Sequence, residues 1–253
     1  LIHQINDFAR EGGISSDDAY GLVNDFLTAK HAPERNAQIA RINPEFPPGS
    51  GSGMTDVEAA EVLREADDNG WRDQLEDIHD RVQTMLREQL RERIDAGLIS
   101  EQTAEQWRQT YRNWVPLRGL PDDTDETATE EDVQQSVGLR PAQGQGFDVR
   151  GPESKRATGR TSRAPNVLAQ AFTVSEEAMI RGEKNRVFKT VHNLVSNNPS
   201  SLWEVNPTRM TPVFNSEGLV EYRPAAAPQG EEEAARTLKG KLNGDQHRIV
   251  FHD

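Results

Sequence analysis

The chain contains no cysteine. Disulfides, thiolate nucleophiles and cysteine-ligated zinc sites are therefore excluded. Aromatic residues are scarce, at 6%, and hydrophobic residues reach only 34% against 28% charged. That balance predicts thin helical layers around a modest core, with much exposed loop. No apolar run approaches the ~20 residues that a membrane-spanning helix needs, and no signal-peptide pattern is visible. Basic residues are also in deficit. Lys and Arg number 29 against 42 Asp and Glu, for a net charge of −13. General binding to nucleic acid or to an anionic membrane surface is disfavoured, because both need concentrated Lys and Arg.

At 253 residues the chain can hold one large domain, or a main domain with an appendage. It opens on Leu1 and stops in the strand-like "HRIVFHD", and it reads as a piece of a longer polypeptide. Residues 1–11 form a short helix, and "EGGISSDDA" makes a corner. There Gly12 or Gly13 closes one helix, Ser15 or Ser16 caps the next, and Asp17 and Asp18 favour its dipole. "DAGLISEQTAEQW" repeats that corner around Gly97 and Ser100. Two such corners predict two αα-hairpins within residues 1–112.

Between the corners, the Gly/Ser stretch "GSGSGMTDVEAAEVL" leads into a capping box of Thr55 and Glu58. The longest helix is expected from about Trp71 to Ala96, with Leu75, Ile78, Val82, Met85, Leu86, Leu90 and Ile94 on its buried stripe. Residues 113–164 read as a long irregular loop, which usually means function or disorder. Its acidic run, residues 122–132, and its basic end, "RGPESKRATGRTSRAP", suggest that it folds back on itself or wraps the rest of the protein, with short helical turns near Thr129–Val137. Residues 165–198 are helical. Within 199–253, "LWEVN", "TPVFN", "GLVEYR" and "HRIVFHD" predict a small antiparallel sheet, with "NSEG" and "NGDQ" as turns. The fold class is α+β, mainly α, in one compact unit or two.

The stretch "TAKHAPERNAQI", residues 28–39, packs His31, Glu34, Arg35 and Asn36 around Pro33. A zinc-protease helix would need a second histidine four residues from the first, and it is absent. Pro33 has no N–H, and its ring conflicts with the Ala29 carbonyl, so a kink or restart is expected. His31, Pro33, Glu34, Arg35 and Asn36 are read as a structural joint. The six histidines show no metal-ligand spacing among themselves. "ATGRTSRAPN" lacks the Gly-Lys-Ser/Thr ending of a phosphate loop. "RTS" with Glu231–Glu233 lacks the strands of an ADP-ribosyltransferase. Catalytic, metal and cofactor residues are therefore expected to be none.

Trp107, Tyr111 and Trp114 are spaced as one helical stripe, read as core or as a partner-binding ledge. Arg156, Arg160 and Arg163 in the basic loop, and Arg181, Lys184 and Lys189 on the later helix, are candidate interaction residues. They are read as a solvated face first, a partner of the acidic loop second and a DNA contact last.

Seven phrases occur in order over most of the chain: "AKHAPERN", "GSGMTDVEA", "NWVPLRG", "GRTSRAPN", "RGEKNRVF", "LWEVN" and "GDQHRIVFHD". Together they resemble a module of the large polyvalent proteins of phages and mobile elements. The resemblance implies a virion-associated protein ejected with the DNA into the host cytoplasm or envelope. This piece would then be a non-catalytic scaffold or docking module. Its partners would be other domains of the same protein, other virion proteins or further copies of itself. Two alternatives stand beside it. One is a lid or wall for a polymerase, transglycosylase or methyltransferase domain outside these residues. The other is a DNA-protecting module acting through the basic loop.

Overall fold

The computed structural model describes residues 1–118, 146–154, 159–206 and 235–252, with the backbone of 210–214 and 220–224. The fold is α+β and mainly helical, with six helices among the described residues. They are α1 (Ile2–Gly12), α2 (Ser16–Ile42), α3 (Asp56–Asp68), α4 (Arg72–Asp95), α5 (Glu101–Thr110) and α6 (Val167–Asn197). The strands are β1 (Trp203–Val205), β2 (Met210–Phe214), β3 (Val220–Pro224), β4 (Thr237–Leu242) and β5 (Asp245–Phe251). Among the described residues, no helix is long and apolar enough to cross a membrane.

The chain divides into two compact units. One comprises Leu1–Arg93, Glu101–Gln143 and Ser154–Ile180, and the other Ile94–Ser100, Gly144–Glu153 and Arg181–Asp253. Two of the divisions fall inside α4 and α6, whereas the composition of the sequence suggested boundaries at 112, 164 and 198.

Local chemistry sets the helix ends. Gly13, at φ 63°, closes α1, and its N–H donates to the carbonyls of Ala9 and Arg10. The Ser15 side chain accepts from the Asp18 N–H at the start of α2. The Thr55–Glu58 capping box is complete, with both reciprocal hydrogen bonds formed. The first unit then builds its core mainly from α1, α2, α4 and the start of α6. Ile5, Phe8, Val23, Phe26, Leu27 and Ile78 are among its buried side chains. A second patch, of Ala29, Ala32, Met54 and Ala59, lets α3 approach α2 closely through small residues.

Two helix expectations need correction. The longest helix is α6, at 31 residues, and α2 has 27 against 24 in α4. In α6 the buried polar residues Gln170, Thr173, Ser175 and Asn185 interrupt the apolar stripe that periodicity alone would follow. Helix α2 does not restart at Pro33 but runs unbroken through it. Pro33 is exposed, so its ring lies on the water side, where the carbonyl deprived of its partner can be hydrated.

In the second unit, β1, β5 and β4 form an antiparallel sheet in that order. Asn243 and Gly244, both with positive φ, make the two-residue turn joining β4 to β5. Phe188 of α6 and Ile249 of β5 centre the core of this unit. Gly240 permits that contact, because a Cβ there would run into the Phe188 side chain. Strand β4, "TLKGKL", was not expected from the sequence: its two lysines and its glycine hide the strand pattern. Strands β2 and β3 pair antiparallel as a separate ribbon. The acidic run 122–132 and the turns expected near Thr129–Val137 lie outside the described residues, as does "NSEG".

Candidate functional site

The polar residues of "HAPERN" lie within the first unit and engage two other segments, Asn36 the stretch 49–56 and His31, Glu34 and Arg35 the bend at 111–113. Asn36 is fully buried. Its Nδ2 donates to the carbonyls of Gly49 (3.1 Å) and Met54 (3.0 Å) and to Asp56 Oδ1 (2.7 Å), and its Oδ1 accepts from the Ser52 N–H at 2.8 Å. This one amide thus shapes the Gly/Ser stretch between α2 and α3. Residues 159–163 lie against that same stretch. The Arg160 N–H donates to the Gly51 carbonyl, and Ser52 and Arg160 form a parallel bridge. A Cβ at Gly53 would run into the Ser162 carbonyl, so the two backbones approach closely only because residue 53 is glycine.

Glu34 holds the bend that follows α5. Its Oε2 accepts the N–H groups of Arg112 (3.0 Å) and Asn113 (3.1 Å), and its Oε1 accepts from Asn113 Nδ2 at 3.2 Å. Burial works against the charge on Glu34. His31 and these backbone donors outweigh it, leaving the carboxyl below its ordinary pKa. Arg35 Nη1 donates to the Tyr111 hydroxyl at 3.3 Å. The Tyr111 ring meets His31 edge-on, with centroids 5.1 Å apart. His31 is 1% exposed, and its Nδ1 has no hydrogen-bond partner, with Glu34 Oε2 3.8 Å away. Burial, assisted by the Arg35 cation, pushes the His31 pKa down.

Next to His31 on α2, Lys30 reaches α4 and binds both oxygens of Glu76, at 2.9 and 3.0 Å. Arg72 Nε also donates to Glu76, at 3.0 Å. Glu76, His79 and Asp80 offer ligand atoms within 4.8 Å of one another, the described cluster best arranged to hold a metal ion. Its electrostatics oppose that role, because Lys30 and Arg72 already neutralise Glu76 and would repel a further cation. A search limited to histidine–histidine spacing passes over this cluster. The signal was present in "EDIHD", residues 76–80, with carboxylates three residues before and one after the histidine.

The expected aromatic stripe is not one surface. Helix α5 ends at Thr110, leaving Trp107 on the helix, Tyr111 over His31 and Trp114 packed against the main core. The Trp114 carbonyl also accepts from Gln83. Glu34 takes the N–H groups of residues 112 and 113, so the helical register is lost there.

Several basic candidates are engaged within the chain. Arg160 donates to the carbonyls of Leu117, Ser162 and Arg163. Arg163 pairs with Asp25 at 3.1 Å and lies 3.8 Å from Glu58. In the second unit, Arg181 binds Glu153 at 2.5 Å, and Lys189 reaches the Asp95 carbonyl at 3.3 Å. Lys184 is half-buried on α6, and Arg156 lies outside the described residues. Glu153 is shared with Lys241 at 3.0 Å, and both side chains are buried. Burial opposes the Glu153 charge, but Arg181 and Lys241 overcome it and hold the pKa below its usual value. Beside them, buried Asn185 donates to the carbonyls of Ala96 and Lys241 and accepts from the Lys241 N–H. Lys241 was not singled out in the sequence, since nothing local marks a buried lysine, whereas Asn185 was read there as part of the polar basic face of the helix and is instead buried.

No family model, curated protein or solved structure matches this chain. What the geometry adds concerns the phrases themselves. "AKHAPERN", "GSGMTDVEA", "NWVPLRG" and "GRTSRAPN" are far apart in sequence, yet Glu34, Asn36 and Arg160 bond them to one another. The arrangement can fix segments in place. His31 is sealed from solvent, and Glu34 is committed through Oε2 to two backbone N–H groups and through Oε1 to the Asn113 side-chain amide.

Proposed function

We propose that the chain is a non-catalytic structural and docking module of a large phage protein, carried in the virion and ejected into the host cell with the DNA. One observation carries the structural part of this reading. Glu34, Arg35 and Asn36 all end on other segments of the same chain, at Arg112 and Asn113, at Tyr111, and at residues 49–56. Side chains used in this way maintain a shape, whereas an active site keeps groups free for a reacting atom. The phage context rests on the seven phrases. Its partners are then other domains of the same protein or other virion proteins.

The test has two arms. The purified protein is screened for hydrolase, transferase and nuclease activity, with and without divalent metals, and no turnover is expected. Turnover that His31→Ala or Glu34→Ala abolishes would overturn the non-catalytic reading. Mass spectrometry of purified phage particles should find peptides of this chain, and fractionation of freshly infected cells should find them in cytoplasm or envelope. Their absence from the particle removes the virion assignment.

A further inference from the structure

Helix α6 carries apolar side chains on two sides. It buries Ala171, Val174, Ala178, Phe188 and Val195, yet Phe172, Met179, Val187 and Leu194 stand between 40% and 63% exposed. These four are half of the eight large hydrophobic side chains exposed among the described residues, a concentration that single scattered exposures do not explain. At about 100° per residue they fall within one arc of roughly 80° along the helix. A helix that is apolar all round is normally covered on every side. Glu176, Glu183 and Thr190, also exposed, fill the gaps in the line.

The spacing of this line is the same read in either direction. From Glu183 the steps outward are four, three and four residues, to Val187, Thr190 and Leu194 one way and to Met179, Glu176 and Phe172 the other. A second copy laid antiparallel, with a two-fold axis through Glu183, therefore sets Phe172 against the partner's Leu194 and Met179 against the partner's Val187. The charges fit that register. Arg186 faces the partner's Ile180, which lies between Glu176 and Glu183 on the helix. Within its own helix Arg186 pairs with Glu183 at 2.5 Å, so each carboxylate at the axis arrives with a guanidinium beside it. A parallel pair would instead add Glu176 and Arg186 to the like-charge contacts.

We propose that α6 is the seam of an antiparallel dimer of this chain. The proposal rests on the docking reading above and names a second copy as a partner. From Phe172 to Leu194 the line runs about 33 Å, on a helix about 10 Å wide. It covers about 330 Å² per copy, short of the ~800 Å² per partner of a stable complex. The pair is therefore weak and reversible, with Kd about 10–100 µM.

Sedimentation velocity of the whole chain from about 5 to 500 µM should show monomer passing to dimer. Met179→Glu, at an exposed position, should leave the circular dichroism unchanged and weaken the dimer about 10-fold, since it sets a charge against an apolar side chain and the partner's Glu183. The chain has no cysteine, so single cysteines report the register. Mild oxidation should cross-link Glu183→Cys to itself, because the axis brings those positions within the ~7 Å Cα separation that a disulfide spans. Glu176→Cys and Thr190→Cys, each about 21 Å along the axis from its own copy, should not cross-link alone but should do so when mixed. A monomer up to the highest concentration overturns the proposal, as does a dimer that Met179→Glu leaves intact. Equal cross-linking of all three cysteine variants alone also overturns it, because that marks chance collision or a parallel pair. A monomer leaves the turnover screen and the particle mass spectrometry unaffected, so the seam and the docking reading fail separately.

Discussion

Replacing Asn36 by alanine should destabilise the first unit by about 2–4 kcal/mol, and the structure says where that comes from. The amide of Asn36 has two hydrogens and faces three acceptors. Two of those acceptors have other donors. The Gly49 carbonyl also accepts from the Asp56 N–H, and the Met54 carbonyl from Ser52 Oγ. The third, Asp56, is exposed and can turn to water. The Ser52 N–H is different: it sits on a fully buried residue and points at Asn36 Oδ1. Leaving it unpaired costs about 1–3 kcal/mol, and the lost net hydrogen bonds add about 1 kcal/mol. Asn36→Asp should be worse than Asn36→Ala. It restores an acceptor for Ser52 but turns a carboxylate oxygen toward two carbonyls and the Asp56 carboxylate. Denaturant melts followed by circular dichroism measure both, with a shifted midpoint at constant slope marking a pure stability change. Amide exchange at Ser52 reads the bond directly. A cost below about 0.5 kcal/mol for alanine, or an aspartate variant milder than alanine, would refute this accounting, since distant surface changes already reach that size.

Acid should weaken the first unit through His31 and His79. Burial lowers both pKa values from their ordinary 6.5, so the unfolded chain takes up protons more readily than the folded one. Stability is full above pH 6.5 and falls as pH drops from there toward the folded values. Thermal melts across that range should show the decline, and His79→Gln should flatten it. Pro33→Ala should raise the melting temperature, because the residue is exposed in a continuous helix and the change restores an N–H donor for the Ala29 carbonyl, a gain of up to ~3 kcal/mol. A lower melting temperature would show that the proline sets a needed bend. In the second unit, Glu153→Gln should cost about 3–5 kcal/mol by leaving Lys241 buried without its counter-charge, while Lys241→Met should cost less. Equal losses in the two variants would mean that the ion pair is not what holds Glu153.

The amino-acid sequence by itself determined the features written within a few residues. The Gly13 corner, the Ser15 cap, the Thr55–Glu58 box and the Asn243–Gly244 turn all depend on groups three or four positions apart, and each formed at its expected place. The mainly helical class followed from apolar periodicity in the same way. Tertiary structure decided whatever depends on distant partners. Trp107, Tyr111 and Trp114 keep helical spacing in sequence, but Glu34, 78 residues before Arg112, captures the backbone and ends the helix. Strand β4 is poor in strand formers and exists because β5 and α6 cover it. Pro33 carries a general penalty in a helix, and only its exposure shows that α2 can run through it. The joint at Asn36 needs an amide, a glycine-bearing stretch and an arginine 124 residues later in the chain, at Arg160. No local pattern encodes that meeting, because a hydrogen bond depends on the position of its partner in space and not on the partner's distance along the chain.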